Sequence, residues 1–229
     1  LYQATGKKIE PLVHPLASMA EMDQWSQKYI GQYFNSTEGR KLLIRATFQQ
    51  AKEDGVTVLE IGEDVWGLKE FFHNDIDELV ESFTSAQREI APEIELRLQI
   101  GLSRHCPISY LEDCLSYFWG NKNFYSIDLY GDEFAQPIEN FKGIYRRAKK
   151  EGLRLKAHVG EWGTAKDIRT AVEELELDEV QHGIAAAGDE SVIRFLAENK
   201  IRLNITPTSN VLLGRVADMA EHPIGKLYR

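Results

Sequence analysis

The chain has 229 residues, 43% of them hydrophobic, and a formal net charge of −9, enough to bury one sizeable core behind an acidic surface. Such a surface is not built to cover nucleic-acid phosphates, and no apolar run approaches the roughly 18 residues that cross a bilayer. Two cysteines, Cys106 and Cys114, are too few for a zinc ribbon and too far apart for a redox CxxC pair. They read as small buried hydrophobes in a reduced compartment, hence a cytoplasmic protein, and the charge and the lack of a long apolar run point to neither nucleic acid nor membrane as partner.

The first 36 residues are rich in aromatics. Trp25, Tyr29 and Tyr33 recur at every fourth position of a helix predicted from Met19 to Phe34 and would share one face. Two readings of that face stay open, a helix packed on the core and a lid near a substrate pocket. A second helix is predicted from about Thr37 to Asp54, closed by Gly55. Val56 to Ile61 is a short β-branched run that reads as a strand. Ile76, Leu79, Val80, Phe83 and Ile90 then mark one face of a helix that Pro92 follows.

From there strands and helices alternate. Leu96, Leu98, Ile100 and Leu102 give a strand, and Leu111, Cys114, Leu115 and Phe118 a short helix. Phe124 to Tyr130 is the next strand, followed by a helix carrying Ile138, Phe141, Ile144, Tyr145 and Ala148 and ending at Gly152. Leu153 to His158 is a strand, and Thr164 and Asp167 have the spacing of a capping box opening the helix behind it. Val180 to His182 is a strand, Asp189 starts a helix, and Ile201 to Thr206 is a last strand leading into the loop Pro207-Thr208-Ser209-Asn210. Six strands alternating with helices imply βαβ units and a parallel sheet. Pattern alone does not separate a doubly wound sheet from part of a (β/α)8 barrel.

In either case chemistry belongs at the carboxyl-terminal strand ends. Two such ends carry histidines, in His158-Val159-Gly160-Glu161 and in Gln181-His182-Gly183, the first with a carboxylate three residues on. Each residue also has a plainer reading. A histidine at a strand end is commonly a hydrogen-bonded structural group, Gly131 a turn glycine, and Asp132 and Glu133 a solvated loop. His14, His73 and His105 fit no motif and read as surface or supporting residues, and His222, before a proline, is given no chemistry.

Taken in order, Asp128-Leu129-Tyr130-Gly131-Asp132-Glu133, His158-Val159-Gly160-Glu161, Gln181-His182-Gly183 and Thr206-Pro207-Thr208-Ser209-Asn210 resemble the DLxGDE, HAGE, GHG and CPTSN motifs of the adenosine deaminase family, within the amidohydrolase superfamily. His222-Pro223-Ile224 is similar to the family's run into its last strand. The resemblance implies a (β/α)8 TIM-type barrel, one catalytic zinc ion, and hydrolytic deamination of a purine nucleoside at C6, adenosine giving inosine and ammonia. It further implies His158 as a metal ligand and Glu161 as the acid that protonates purine N1. His182 would orient the zinc-bound water, and the backbone N–H of Gly131 would meet purine N3. The chemistry suits these residue types: zinc lowers the pKa of its water to about 7, and a placed acid is worth roughly 10²–10⁴ in rate.

The chain also departs from the family pattern. It contains no H-x-H, the family's source of two zinc ligands on the first strand, and no Asp-Asp run of the eighth. Residues 1–229 are therefore expected to form one incomplete barrel of about six β/α units, strands 2–7, binding zinc poorly and turning over little. The non-Met start and the stop at Arg229 fit a shortened chain. Val159, Gln181 and Thr206 replace the family's Ala, Gly and Cys, which leaves the choice among adenosine, deoxyadenosine, adenine and adenine nucleotides open, as it does the oligomeric state. Two other readings remain: a metal-free barrel relative that binds a purine or a protein without catalysis, and an amidohydrolase acting on another amine or amide.

Overall fold

A computed structural model gives the architecture and describes residues 6, 8, 9, 12 and 14–228. Leu1 and Arg229, the ends on which the expectation of a shortened chain rests, lie outside them. Helices α1 (Met19–Tyr29) and α2 (Thr37–Glu53) precede β1 (Val58–Asp64), α3 (Val65–Phe72), α4 (Ile76–Ile90), β2 (Glu95–Ser103) and α5 (Ile108–Leu115). Then come β3 (Phe124–Tyr130), α6 (Lys142–Glu151), β4 (Arg154–Val159), α7 (Ala165–Leu175) and β5 (Glu179–His182). The chain continues through α8 (Glu190–Glu198), β6 (Arg202–Asn204), α9 (Pro207–Leu212) and α10 (Ile224–Leu227). The six strands form one parallel sheet in sequential order, β1 to β6. That is the six-unit part of a (β/α)8 barrel, not a doubly wound sheet, in which strand order reverses.

Side-chain alternation explains how the sheet is layered. Leu98, Ile100 and Leu102 of β2, Ile127 and Leu129 of β3, and Leu155, Ala157 and Val159 of β4 are buried in one core with the helices outside. The other set is polar: Glu60, Gln99, Ser126, Asp128, Lys156, His158, Glu179 and Gln181. Within it Lys156 Nζ, on β4, lies 2.5 Å from Glu60 on β1. Those strands are three places apart, about 14 Å in a flat sheet, so the sheet must curl to bring the two side chains together.

Lys156 is 3% exposed and also lies 3.3 Å from Glu179. Glu179 takes further bonds from Asn204, Arg154 and Arg202, and although burial opposes its charge, these partners hold its pKa below the usual carboxylate range. Breaking a buried ion pair on one side costs about 3–5 kcal/mol, because a charge is left without compensation. Lys156→Met is accordingly expected to lower unfolding stability by about that amount in urea titration. A midpoint equal to wild type would show that water, not Lys156, compensates the two carboxylates.

Several local expectations need correction. The helix predicted to Phe34 stops at Tyr29: the Ile30 N–H still bonds Ser26, but Gly31 follows and the chain tightens into a 3₁₀ turn over Gly31–Tyr33. Tyr33 therefore leaves the shared face, while Trp25 and Tyr29 remain paired at 5.6 Å. No residue of α1 is buried, which does not match a helix packed on the core. Helix α3 follows β1 without a loop and seats Val65, Leu68 and Phe72 in the core. The stretch Pro207-Thr208-Ser209-Asn210 is not a loop but the opening of α9, with Pro207 at the first helical position, where its missing N–H costs nothing. His222-Pro223-Ile224 opens the short helix α10, the last described element. No described helix is long and apolar enough to cross a membrane.

Asp64 closes β1 at the N-cap position of α3, yet its side chain makes no capping bond and its buried Oδ1 has no partner among the described residues. Burial pushes its pKa up to about 7, and neighbouring Glu63 adds to the rise. Between an unfolded value of 3.8 and that folded value, the native state keeps a proton the unfolded chain has lost. The stabilisation is complete below the lower value and is lost as pH rises through the upper one. Asp64→Asn should flatten this dependence, so that the wild-type urea midpoint falls more than the variant's between pH 5 and pH 8. Parallel slopes would show that Asp64 titrates normally.

Candidate active site at the strand ends

Because all six strands are parallel, the tips of β3, β4 and β5 share one rim. His158 belongs to the polar inner set of β4, and its Nδ1 lies 3.3 Å from Asp128 of β3. Burial, the largest single influence, pulls the imidazole pKa down, but the Asp128 carboxylate, Glu161 and a backbone bond at Leu129 together leave the net shift upward. His158, Asp128 and Gln181 line an open groove of about 590 Å³ along the inner face.

Beyond β4 the chain turns sharply at Gly160, whose φ of +73° favours glycine and where an added Cβ would lie 2.4 Å from Ile168. The turn is held by Glu133, from the loop after β3. This buried carboxylate accepts the backbone N–H groups of Gly160 at 2.7 Å, Glu161 at 2.9 Å and Trp162 at 2.8 Å. Its reading as part of a solvated loop is thus corrected. The clamp turns Glu161 inward, 8% exposed, with Oε1 3.2 Å from His182 Nδ1. Burial raises the Glu161 pKa.

His182 ends β5 with φ of 64°, a left-handed backbone uncommon outside glycine. Strict alternation places it opposite Gln181, but this backbone lets its ring reach Glu161 and pack 5.2 Å from the His158 ring. Burial, helped by the nearby His158, lowers its pKa to about 4. His182 is therefore neutral at pH 7. Its Nδ1 is also 2.9 Å from the Thr206 hydroxyl.

His158, Glu161 and His182 thus come together in one contact group. Gly131, with φ of +97°, sits one residue past Tyr130, whose ring stands edge-on to His158 at 6.3 Å. It shares the rim, packed against His105, but makes no hydrogen bond to the three among the described residues. Sequence reasoning passed over Asn210, whose fully buried amide touches both Glu161 and His182, and over His222, which is buried against Asn210. The signal for Asn210 was present, since it closes a motif that also contains Thr206. For His222 the run His222-Pro223-Ile224 stood out, with no chemistry attached to it.

A metal can be tested against these donors. The Asp128–His158 pairing is the arrangement that orients ligating histidines, and it leaves Nε2 as the nitrogen to offer. Among the described residues, however, no three His, Cys, Asp or Glu side chains are grouped to hold an ion. One imidazole is not a zinc site. The described residues do not by themselves fit the metal.

The adenosine deaminase family profile matches residues 4–229. A putative adenosine/adenine deaminase of Treponema pallidum (strain Nichols) is 34% identical over 225 residues, covering 98% of this chain and 75% of its own. The chain spans 60% and 55% of the length of two further relatives, both adenine deaminases. Among solved structures, adenine deaminase from Arthrobacter aurescens superposes with a TM-score of 0.78 at 21% identity, over 99% of this chain and 72% of that one. An amidohydrolase from Burkhoderia ambifaria with bound Zn gives 0.74 at 21%, over 100% of this chain and 66% of the other. At such identity the superpositions speak for the fold.

Proposed function

Since this chain belongs to the adenosine deaminase family, we propose that its strand-end site serves the hydrolytic deamination of a purine at C6, with a nucleoside such as adenosine as substrate. The observation that carries this is the contact group of Glu161, His182 and His158 at one rim. Glu161 is the acid. Its buried position favours the protonated form, and it delivers that proton to purine N1 while water adds to C6. His182, kept neutral by burial, orients the attacking water and accepts one of its protons, which then leaves with the amino group as ammonia, while the second water proton returns to the Glu161 carboxylate as C6–O becomes a carbonyl. The Gly131 backbone N–H meets purine N3. His158 is the ligand these residues offer to zinc, and further donors are needed to complete its coordination.

That last point favours a second reading, a metal-free relative that binds a purine without turning it over. The two separate in one experiment. Adenine, adenosine and adenosine monophosphate are each incubated with metal-analysed protein, and ammonia release and binding heat are recorded. Deamination of adenosine supports the first reading, and preference for one of the others moves the substrate within it. Binding without ammonia release, in folded protein supplied with zinc, overturns it in favour of the second.

A further inference from the structure

We propose that His222 is a positioning residue of this site, because its Nε2–H decides which end of the Asn210 amide faces Glu161 and His182. The oxygen and nitrogen of an amide are told apart by their hydrogen-bond partners. Here the chain of partners starts at a backbone group that has no choice. The Ile224 N–H, at the start of α10, donates to His222 Nδ1 at 3.1 Å. That nitrogen must present a lone pair, so the proton of the neutral ring sits on Nε2. Burial lowers the His222 pKa and keeps the ring neutral, whereas a protonated ring would oppose two N–H donors at Nδ1.

The Nε2–H then points at Asn210 from 3.1 Å, and only the amide oxygen can receive it. The amide NH₂ is left to face Glu161 Oε1 at 3.1 Å and His182 Nδ1 at 3.2 Å. A reversed amide would set its NH₂ against the His222 N–H, two donors face to face. Asn210 is fully buried, so water does not rescue the wrong orientation. A donor is thereby fixed beside the acid by a histidine that, among the described residues, hydrogen-bonds neither Glu161 nor His182. The tautomer and the amide orientation stand on hydrogen bonding alone, while their effect on turnover rests on the deaminase reading.

Imidazole and side-chain amide NMR on the full chain tests the first part. Wild-type His222 should be protonated at Nε2 and not at Nδ1 at pH 7 to 8, with the Asn210 amide protons slow to exchange. His222→Gln, which keeps a donor near the same place, should preserve that protection. His222→Leu should lose about fivefold to tenfold of it, the worth of one net hydrogen bond, while core backbone amides stay protected. An Nδ1-protonated wild-type ring, or a folded Leu variant with unchanged Asn210 protons, overturns the proposal. If the Leu variant does not fold, the wild-type tautomer and the Gln variant still decide. Where adenosine is turned over, kcat should fall about tenfold in the Leu variant with KM little changed, and return in the Gln variant. The expected NMR result with no turnover in any form, wild type with zinc bound included, sinks the deaminase reading and leaves the positioning intact.

Discussion

Glu133→Ala is expected to be among the most destabilising single changes in this protein, although Glu133 lies in a loop. Its carboxylate accepts three backbone N–H groups from Gly160, Glu161 and Trp162, in a turn where the chain has no strand or helix to satisfy them. Each buried N–H left without a partner costs about 1–3 kcal/mol. With water partly replacing the carboxylate, a loss of about 3–5 kcal/mol follows, out of a total stability of about 5–15. For a chain of this length that corresponds to a melting temperature lower by roughly 10 °C. Glu133→Gln should fall in between. One oxygen still accepts from Glu161 and Trp162, but an NH₂ now opposes the Gly160 N–H. Thermal and urea unfolding of both variants measures the series. An Ala variant within 1 °C of wild type would show that the turn holds itself.

The same carboxylate illustrates what was legible in the sequence. The alternation of strands and helices was, because it follows from local periodicity. The ladder of Phe124 to Tyr130 appears with the bounds the pattern implies, and the Thr164–Asp167 capping box forms both of its bonds. The strand-end histidines and Glu161 were legible too, as residue types that serve chemistry at an edge where ligands bind. What was not legible depends on contacts between distant segments. Glu133 reads as solvated because its acceptors' partners lie some 28 residues ahead. Asn210 reads as a loop residue until α9 places it 49 positions from Glu161 in sequence but in contact with it. His182 could not be oriented by period-two alternation, because its left-handed backbone breaks that rule at the one place where the site needs the ring. Helix α3 escaped for a different reason: no turn residue separates it from β1, and its cap, Asp64, does not cap.

Glu161→Gln is expected to remove about 10²–10⁴ of the rate of purine deamination while leaving purine binding within a few-fold of wild type. The amide keeps the shape of the carboxyl, and its oxygen can still accept from Asn210, 3.1 Å away. It can also donate a hydrogen bond towards N1. What it lacks is a proton to give up, and the ring nitrogen would have to take on negative charge as water adds to C6. The predicted loss corresponds to about 2.7–5.5 kcal/mol in the barrier, felt in kcat and not in KM, since the interaction is made only as the reaction proceeds. The packing argument points the same way. Glu161 is 8% exposed and His182 is neutral before water adds, so His182 has no proton to spare for N1 in place of the missing acid. Steady-state ammonia release together with calorimetric purine binding separates the two quantities. A variant that binds and still turns over within tenfold of wild type would mean that the proton reaches N1 from elsewhere, and Glu161 would then be a polar wall of the pocket instead of its acid.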